Sequence, residues 1–201
     1  MLAEHLFFTT AIAIVVGMFF FRYTGRDSSW IVIVCAYAPD LDKIADYILN
    51  HIGFTLLYEG HTIHHGTFHN IAAMVIFGIV IAFLLNPFGI KFIDAFSCAV
   101  IGFGAHLFED ALVYSSSYMY LWPLSTERMG WGILPMGTEE SYNANFFHFA
   151  NTEVLLIGIA LVAVAAAIRT YVEGPGWIRW YMPEKIYTKY FGDKTGSGPC
   201  L

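Results

Sequence analysis

Apolar residues run in five stretches along this chain, at about 2 to 21, 29 to 39, 70 to 86, 91 to 114 and 152 to 172, and the polar residues collect between them. Four of these stretches are long enough to cross a bilayer, which takes roughly 20 predominantly apolar residues. The stretch at 29 to 39 is short. It must either continue through the polar segment from Pro39 to Ile52 or cross as a partial helix whose irregular backbone is enclosed by its neighbours. Pro39 can start a helical turn there or kink one. Asn86-Pro87-Phe88-Gly89 predicts a tight turn between the third and fourth segments, and Gly25 with Arg26 and Asp27 joins the first to the second. Leu2 to Phe21 has polar interruptions at Glu4, His5, Thr9 and Thr10 and lacks a basic start, so it reads as a retained helix rather than a signal peptide. The pattern predicts an all-α polytopic membrane bundle of about five transmembrane segments. Its transmembrane domain covers residues 1–176, with a long external loop, and an interfacial tail follows at 177–201.

Composition agrees with this class. The chain is 57% hydrophobic and only 13% charged, with a mean hydropathy of +0.59, where soluble domains are usually about a quarter charged. If the segments alternate, one face receives Arg22, Arg26, Lys91, Arg169, Arg179, Lys185, Lys189 and Lys194, and the other only Lys43 and Arg128. By the positive-inside rule the C-terminus is then cytoplasmic, and the N-terminus external. Eleven of the sixteen acids fall on the external side, so the net charge of −6 lies opposite the cytoplasm and argues against a nucleic-acid partner. The tail mixes Trp177, Trp180, Tyr181, Tyr187, Tyr190 and Phe191 with Arg179, Lys185 and Lys189, a composition that suits an anionic membrane surface. Cys35 and Cys98 lie in apolar segments and Cys200 in the tail, so no disulfide framework or thiolate metal site is implied.

The chemistry collects on the external side. His5 opens the first segment, Asp40 and Asp42 close the second, His61, His64, His65 and His69 precede the third, His106 and Asp110 lie deep in the fourth, and His148 opens the fifth. Ionisable groups near hydrocarbon are costly unless they pair, line a watery cavity or bind an ion. His106 and Asp110 are four apart and share one helical face; they can grip an ion together or simply hydrogen-bond one helix to another. Pro39-Asp40-Leu41-Asp42 offers two hard oxygen ligands, although a Pro-Asp helix start with capping acids has the same sequence. If the run from His61 to His69 is helical, His61, His65 and His69 stack at four-residue spacing. If Gly66 breaks it, His64 and His69 converge from a loop and a helix start. His5 also suits a hydrogen-bonded core role, and His148 a ligand, a proton shuttle or a helix start.

An early His in the first helix, then Pro39-Asp40-Leu41-Asp42, His64-His65-Gly66-Thr67-Phe68-His69-Asn70, Gly104 to Leu112 with His106 and Asp110, and Leu121-Trp122-Pro123-Leu124-Ser125, occur here in one order. That order resembles the LexA-regulated inner-membrane family of metal-dependent hydrolases over about residues 1 to 126. In the family the histidine stretch usually reads His-Arg-Gly-x-Thr-His-Ser, so His64 and His69 fall on its two histidines, while His65, Phe68 and Asn70 depart from it. The resemblance implies a divalent-metal hydrolase. The His-x-x-x-Asp helix is also similar to one in zinc-dependent phospholipases C.

The residues themselves lead to the same class. Mixed imidazole and carboxylate ligands without thiolates suit zinc, manganese or iron, and six or more of them suit two ions. Two ions clamping both oxygens of a displacement at phosphorus need no separate nucleophile. The expected ligands are His5, Asp40, Asp42, His64, His69, His106 and Asp110, with two zinc ions, or manganese or iron, and with His65 or His148 as acid or phosphate-orienting group. The stretch from Tyr114 to Ala150 is long and aromatic, with Tyr118, Tyr120, Trp122, Trp131 and Tyr142, and suits a lid at headgroup level that admits a membrane lipid or lipid-like substrate sideways. Two other classes stay open. His61-x-x-His64-His65 matches one histidine box of the membrane di-iron hydroxylases and desaturases, and a non-enzymatic metal or proton carrier would also place ionisable groups within a membrane.

Overall fold

Long uninterrupted apolar runs satisfy all their backbone hydrogen bonds only as helices, and helices form here throughout. In the computed structural model, which describes residues 2–54, 57–58, 61–62, 66–116, 118–134 and 152–190, the order is α1 (Leu2–Thr24), α2 (Trp30–Cys35), α3 (Leu41–His51), the two-residue strands β1 (Leu57–Tyr58) and β2 (His61–Thr62), α4 (Ile71–Leu85), α5 (Phe92–Val113), α6 (Thr152–Glu173) and α7 (Glu184–Tyr190). A 3-10 turn at Asn86–Phe88 follows α4, as Pro87 and the left-handed Gly89 (φ +81°) predict, and a second 3-10 segment, Pro175–Tyr181, precedes α7. The β1–β2 pair is a minimal antiparallel ribbon with Tyr58 opposite His61. Apart from it and an isolated bridge between Tyr118 and Met129, the regular elements among the described residues are helical.

Among the described residues four helices, α1, α4 (extended to Phe88), α5 and α6, are long and apolar enough to cross a membrane. The second apolar stretch takes the other form open to it. α2 ends after six residues, because Pro39 has no N–H to continue the ladder and its ring crowds the carbonyl one turn back. The chain then runs irregularly to Asp40, with Ala38 N–H on the Cys35 carbonyl at 3.1 Å and Leu41 N–H on Ala38 at 3.2 Å. Ala36 and Ala38 are buried, so this irregular backbone is enclosed by protein, the condition for non-helical chain at membrane depth.

α5 is the central element. In its most apolar window 56% of the residues are buried, against 11% for α4, and it packs on α4, α2 and α1, while α6 packs on α1. Small residues permit these contacts. Gly78 of α4 faces Val100 and Phe96, Gly158 of α6 faces Phe7, and a Cβ on Gly102 would collide with the Val32 carbonyl of α2. The core between α1, α2, α4 and α5 is built of Ala13, Ile31, Val32, Cys35, Ala82, Ala95, Cys98 and Ala99.

The bundle has two polar ends. At one, Arg169 of α6 is 1% exposed and donates to Asp27 at 2.8 Å, to Glu173 at 2.8 Å and to the Ile14 carbonyl at 3.3 Å. Its guanidinium lies 5.1 Å from the Trp177 ring, and Tyr181 bonds Ser29 and the Ala13 carbonyl. Burial, then the nearby Asp27, pushes the Tyr181 hydroxyl up to about 12, which keeps it a donor. This network ties the 25–29 turn and the segment before α7 to the middle of α1 and the last turns of α6. The other end holds His5, Asp40, Asp42, His69, His106 and Asp110.

Two glycines of α5 separate packing from open space. Gly102→Ala is expected to destabilise the purified protein by about 1–3 kcal/mol through overpacking against α2. Gly104→Ala, whose Cβ meets only Met74 Sδ at 3.4 Å, should be neutral or gain up to about 1 kcal/mol from lower unfolded-state freedom. Thermal unfolding of the two variants in detergent checks the contrast.

Candidate metal centre

Each histidine of the centre is held by local structure. His5 sits in the first turns of α1 and is 4% exposed; its Nδ1 donates to Oε2 of Glu109, on α5, at 2.9 Å. His106, fully buried on α5, donates from Nδ1 to the Ala36 carbonyl at 2.6 Å, a carbonyl that lies just past the point where Pro39 forces α2 to stop. His69 ends the turn that leads into α4. Gly66 opens that turn with φ +103°, a backbone that side chains disfavour, and a Cβ there would also meet the Tyr118 ring at 3.0 Å. Asn70 closes it by capping α4, its side chain accepting from Ala73 N–H at 2.8 Å.

Asp42, in the first turn of α3 and fully buried, organises the same turn from behind. Its Oδ2 accepts from Gly66 N–H at 2.7 Å and Phe68 N–H at 3.4 Å and lies 3.3 Å from His69 Nδ1. All three imidazoles therefore turn Nδ1 outward to an oxygen: Glu109, Ala36 and Asp42 in turn. All three turn Nε2 inward to one carboxylate. Asp110 Oδ1 is 3.7 Å from His5 Nε2, and Asp110 Oδ2 is 3.5 Å from both His69 Nε2 and His106 Nε2. The rings of His5 and His106 stack at 3.9 Å, and His69 meets His106 edge-on at 5.3 Å.

Asp40 completes the group. Donor atoms of His5, Asp40 and His106 lie within 4.8 Å of one another, as do those of His69, His106 and Asp110. Lys43 reaches Asp40 Oδ1 at 2.8 Å. Burial by itself would raise the Asp40 carboxyl; the neighbouring imidazole of His106, the Lys43 ammonium and the imidazole of His5 outweigh it and hold the group below the ordinary aspartate value.

These distances fit an ion better than direct pairing. Separations of 3.5–3.7 Å are too long for hydrogen bonds, and two ligands on one tetrahedral zinc with 2.0–2.1 Å bonds stand about 3.3 Å apart. His106 Nε2 is buried and has no hydrogen-bond partner, while Nδ1 holds the proton on Ala36, so the lone pair faces Asp110. Metal-bound histidines are commonly oriented in this way, by an oxygen acceptor on the other ring nitrogen. The nitrogen and oxygen donor set suits zinc, manganese or iron.

Of the residues singled out from the sequence, the fold brings together His5, Asp40, Asp42, His69, His106 and Asp110. His61 falls in β2, so Gly66 does break the histidine run and no single helix carries it. His64, His65 and His148 lie outside the described residues. Glu109 as the partner of His5 was not anticipated from the sequence, and Tyr118 and Tyr120 were expected only as lid aromatics; the Tyr118 ring stacks on His69 at 4.3 Å. The Tyr120 hydroxyl is buried without a hydrogen-bond partner, and burial, then Asp110, raises it above the usual tyrosine range. Glu109 carried a signal: it is a second acid beside Asp110 in an otherwise apolar helix. Of the 114–150 stretch, the part to Leu134 is pinned to the helix ends, with Trp131 N–H on the Ala111 carbonyl at 2.6 Å and the Tyr120 carbonyl accepting from Ile71 N–H at 2.9 Å.

Residues 1–176 match the family model described as YdjM inner membrane protein, and the chain belongs to that family. With four helices able to cross a bilayer, it is an integral inner membrane protein. No curated protein and no solved structure matches it.

Asp42 gives this end of the bundle a test that needs no metal. Asp42→Ala removes the acceptor of two backbone amides, and a hydrogen bond to a charged group contributes about 1.5–3 kcal/mol. Amide exchange at Gly66 and Phe68 is expected to speed up by about tenfold or more, with α5 unchanged, in hydrogen exchange followed by mass spectrometry.

Proposed function

We propose that this YdjM-family inner membrane protein is a metal-dependent hydrolase that cleaves a phosphoester of a lipid or isoprenoid-type substrate at the external membrane face. The observation that carries the reading is the arrangement of three histidines, each with Nδ1 facing an outer oxygen, hydrogen-bonded to it at His5 and His106, and Nε2 toward Asp110. A buried group of imidazoles and carboxylates without an ion would leave a costly set of unsatisfied or mutually repelling groups. The two oxygens of Asp110 are divided, Oδ1 toward His5 and Oδ2 toward His69 and His106, which suits a carboxylate shared between two ions. His69 and His106 would serve one ion, and His5 with Asp40 the other, with zinc, manganese or iron as the metal.

A bound divalent pair supplies Lewis acidity and a hydroxide at neutral pH, the chemistry of metal-assisted displacement at phosphorus. The chain supplies the frame. Glu109 and the Ala36 carbonyl hold the His5 and His106 rings in orientation, Asp42 stands 3.3 Å from Nδ1 of His69, and Tyr118 stacks on His69 and shields it on one face. Cys35 and Cys98 belong to the apolar core between the helices, so neither serves as nucleophile. His65 and His148 are retained as candidate acid or phosphate-orienting groups. The site end carries few basic residues and the Arg169 end many, which supports an external centre and a cytoplasmic C-terminus.

Asp110→Asn preserves shape and one acceptor oxygen but removes the charge. It is expected to purify as a monodisperse protein that has lost its metal and nearly all turnover of an alkyl phosphoester; full metal occupancy with near-normal activity would rule out Asp110 as a ligand. Glu109→Ala should weaken metal binding by about 10–100-fold, and Glu109→Gln, which still accepts from His5, by much less, in chelator competition.

Orientation has its own test. In a background where the native cysteines are replaced by serine, Asn50→Cys is expected to react with an impermeant thiol reagent from outside intact cells, and Asn86→Cys only after the membrane is opened. The reverse pattern would place the centre on the cytoplasmic side.

A further inference from the structure

α3 is too short to cross a bilayer. It has 11 residues, which at 1.5 Å each reach about 16 Å, against a hydrocarbon core of about 30 Å. Its sequence is nonetheless two-sided. Leu41, Ile44 and Ile48 recur at three- and four-residue spacing and Ile52 follows one turn on, while Lys43, Asp46 and Asn50 take the other side. The polar side is matched within itself: Lys43 meets Asp40 at 2.8 Å, and Asn50 donates to Asp46 at 2.7 Å. The apolar side is uncovered. Leu41, Ile44, Ile48 and Ile52 are between 41% and 66% exposed, and Phe54, just beyond the helix, is exposed as well. Single exposed apolar residues are ordinary on any surface, but a continuous stripe of them marks an interaction face. Asp42, by contrast, is fully buried and holds α3 to the molecule through the Gly66 and Phe68 amides.

What meets the stripe follows from where α3 begins. Asp40, its N-cap, stands with His5 and His106, their donor atoms within 4.8 Å of one another. His5 lies in the first turns of α1, and His69, beside Asp42, comes two residues before α4. α3 therefore starts at the level where two spanning helices enter the bilayer. The outward-facing apolar surface of α4 starts there too, with Ile71 and Val75 exposed in its first two turns. A short helix at that boundary, with a matched polar side and an apolar stripe, lies in the interface with the stripe turned to the acyl chains. Tyr47 and His51, whose rings stack at 6.2 Å, flank the stripe on its polar side, the place that tyrosine takes at headgroup level. Charge does not draw α3 to the lipid. Asp40, Asp42 and Asp46 outnumber Lys43, so adhesion to anionic headgroups is not favoured and the contact is apolar.

We propose that α3 is a membrane-surface helix whose Leu41, Ile44, Ile48 and Ile52 rest at the acyl–headgroup boundary of the leaflet on the side of the histidine cluster, and that through Asp42 it fixes the turn carrying His69 at that depth. Lipid is then part of what supports the centre. The inference depends neither on a bound ion, nor on hydrolysis, nor on which side of the membrane the cluster faces.

The test reads depth. The full chain, with native cysteines replaced by serine, is spin-labelled at single introduced cysteines in lipid nanodiscs. Power saturation is then measured with oxygen, which partitions into lipid, and with a water-soluble nickel chelate. Labels at Ile44→Cys and Ile48→Cys are expected to collide with oxygen and be shielded from nickel, at a depth of about 5–10 Å. Labels at Lys43→Cys and Asn50→Cys should show the reverse, and the pattern should be the same in phosphatidylcholine and in phosphatidylglycerol. All four labels open to nickel would mean that α3 stands in water. Shielding of the stripe from both reagents would mean that protein covers it, either a second copy of the chain or residues 135–151. A lipid signature confined to phosphatidylglycerol would mean attraction by charge. Each of these outcomes overturns the proposal. Ile44→Asn combined with Ile48→Asn, unlabelled, should release α3 and hasten amide exchange at Gly66 and Phe68 at least about threefold, with α5 unchanged; unaltered exchange at those two amides would overturn the link between α3 and the His69 turn.

Discussion

Asp110 has to be matched. A carboxylate 3% exposed on the central helix of a membrane bundle is among the costliest placements a chain can make, and three imidazoles converge on it from α1, α5 and the turn before α4. Each of those imidazoles is itself buried and needs an acceptor for its other nitrogen. The demand passes outward to Glu109, to the Ala36 carbonyl and to Asp42. Much of the architecture at this end follows from it. α2 stops where it exposes the Ala36 carbonyl, and the chain after Pro39 delivers Asp40 and Asp42 from one side. The Gly66 turn brings His69 in from the other.

The opposite end solves the same physical problem with different chemistry. Arg169 is as deeply buried as the histidines, and its charge is met directly by Asp27 and Glu173 at 2.8 Å, with Trp177 and Tyr181 stacked around it. Those are short, direct ion pairs, the pattern of a structural tie. At the histidine end the corresponding separations are 3.5–3.7 Å, and the ring nitrogens face one another around a carboxylate. One network is built of short ion pairs, and the other of longer separations around one carboxylate. This contrast within a single molecule is the physical ground for reading the two ends differently.

Between the ends, small residues let backbones approach, as at Gly102 against Val32 and Gly78 against Val100, and the same economy of bulk at Gly104 and Ala111 leaves a cavity of about 430 Å³ open beside α5. Packing and open space are thus made of one material. A Cβ where helices touch would push them apart, and bulk where they do not would fill the cavity. The seam of α4 and α5 consequently carries both the close packing of the bundle and the cavity beside it.

The sequence by itself determined the class, the four long spans and the short second segment, because hydrocarbon imposes length and composition on every crossing helix. It also marked His5, Asp40, Asp42, His69, His106 and Asp110, because ionisable residues in apolar runs stand out without any knowledge of contacts. The outcome of the 29–39 stretch was legible only as two alternatives, since Pro39 ends a helix or kinks it according to what encloses the freed backbone. The pairing of His5 with Glu109 spans 104 residues and two helices, and no local periodicity encodes which face of α1 will meet which face of α5. The same holds for the placement of Asp42 behind His69 rather than in front, for the proton position on His106, and for the buried hydroxyl of Tyr120. Those are decided when the helices pack, because only then does each polar atom find, or fail to find, its partner.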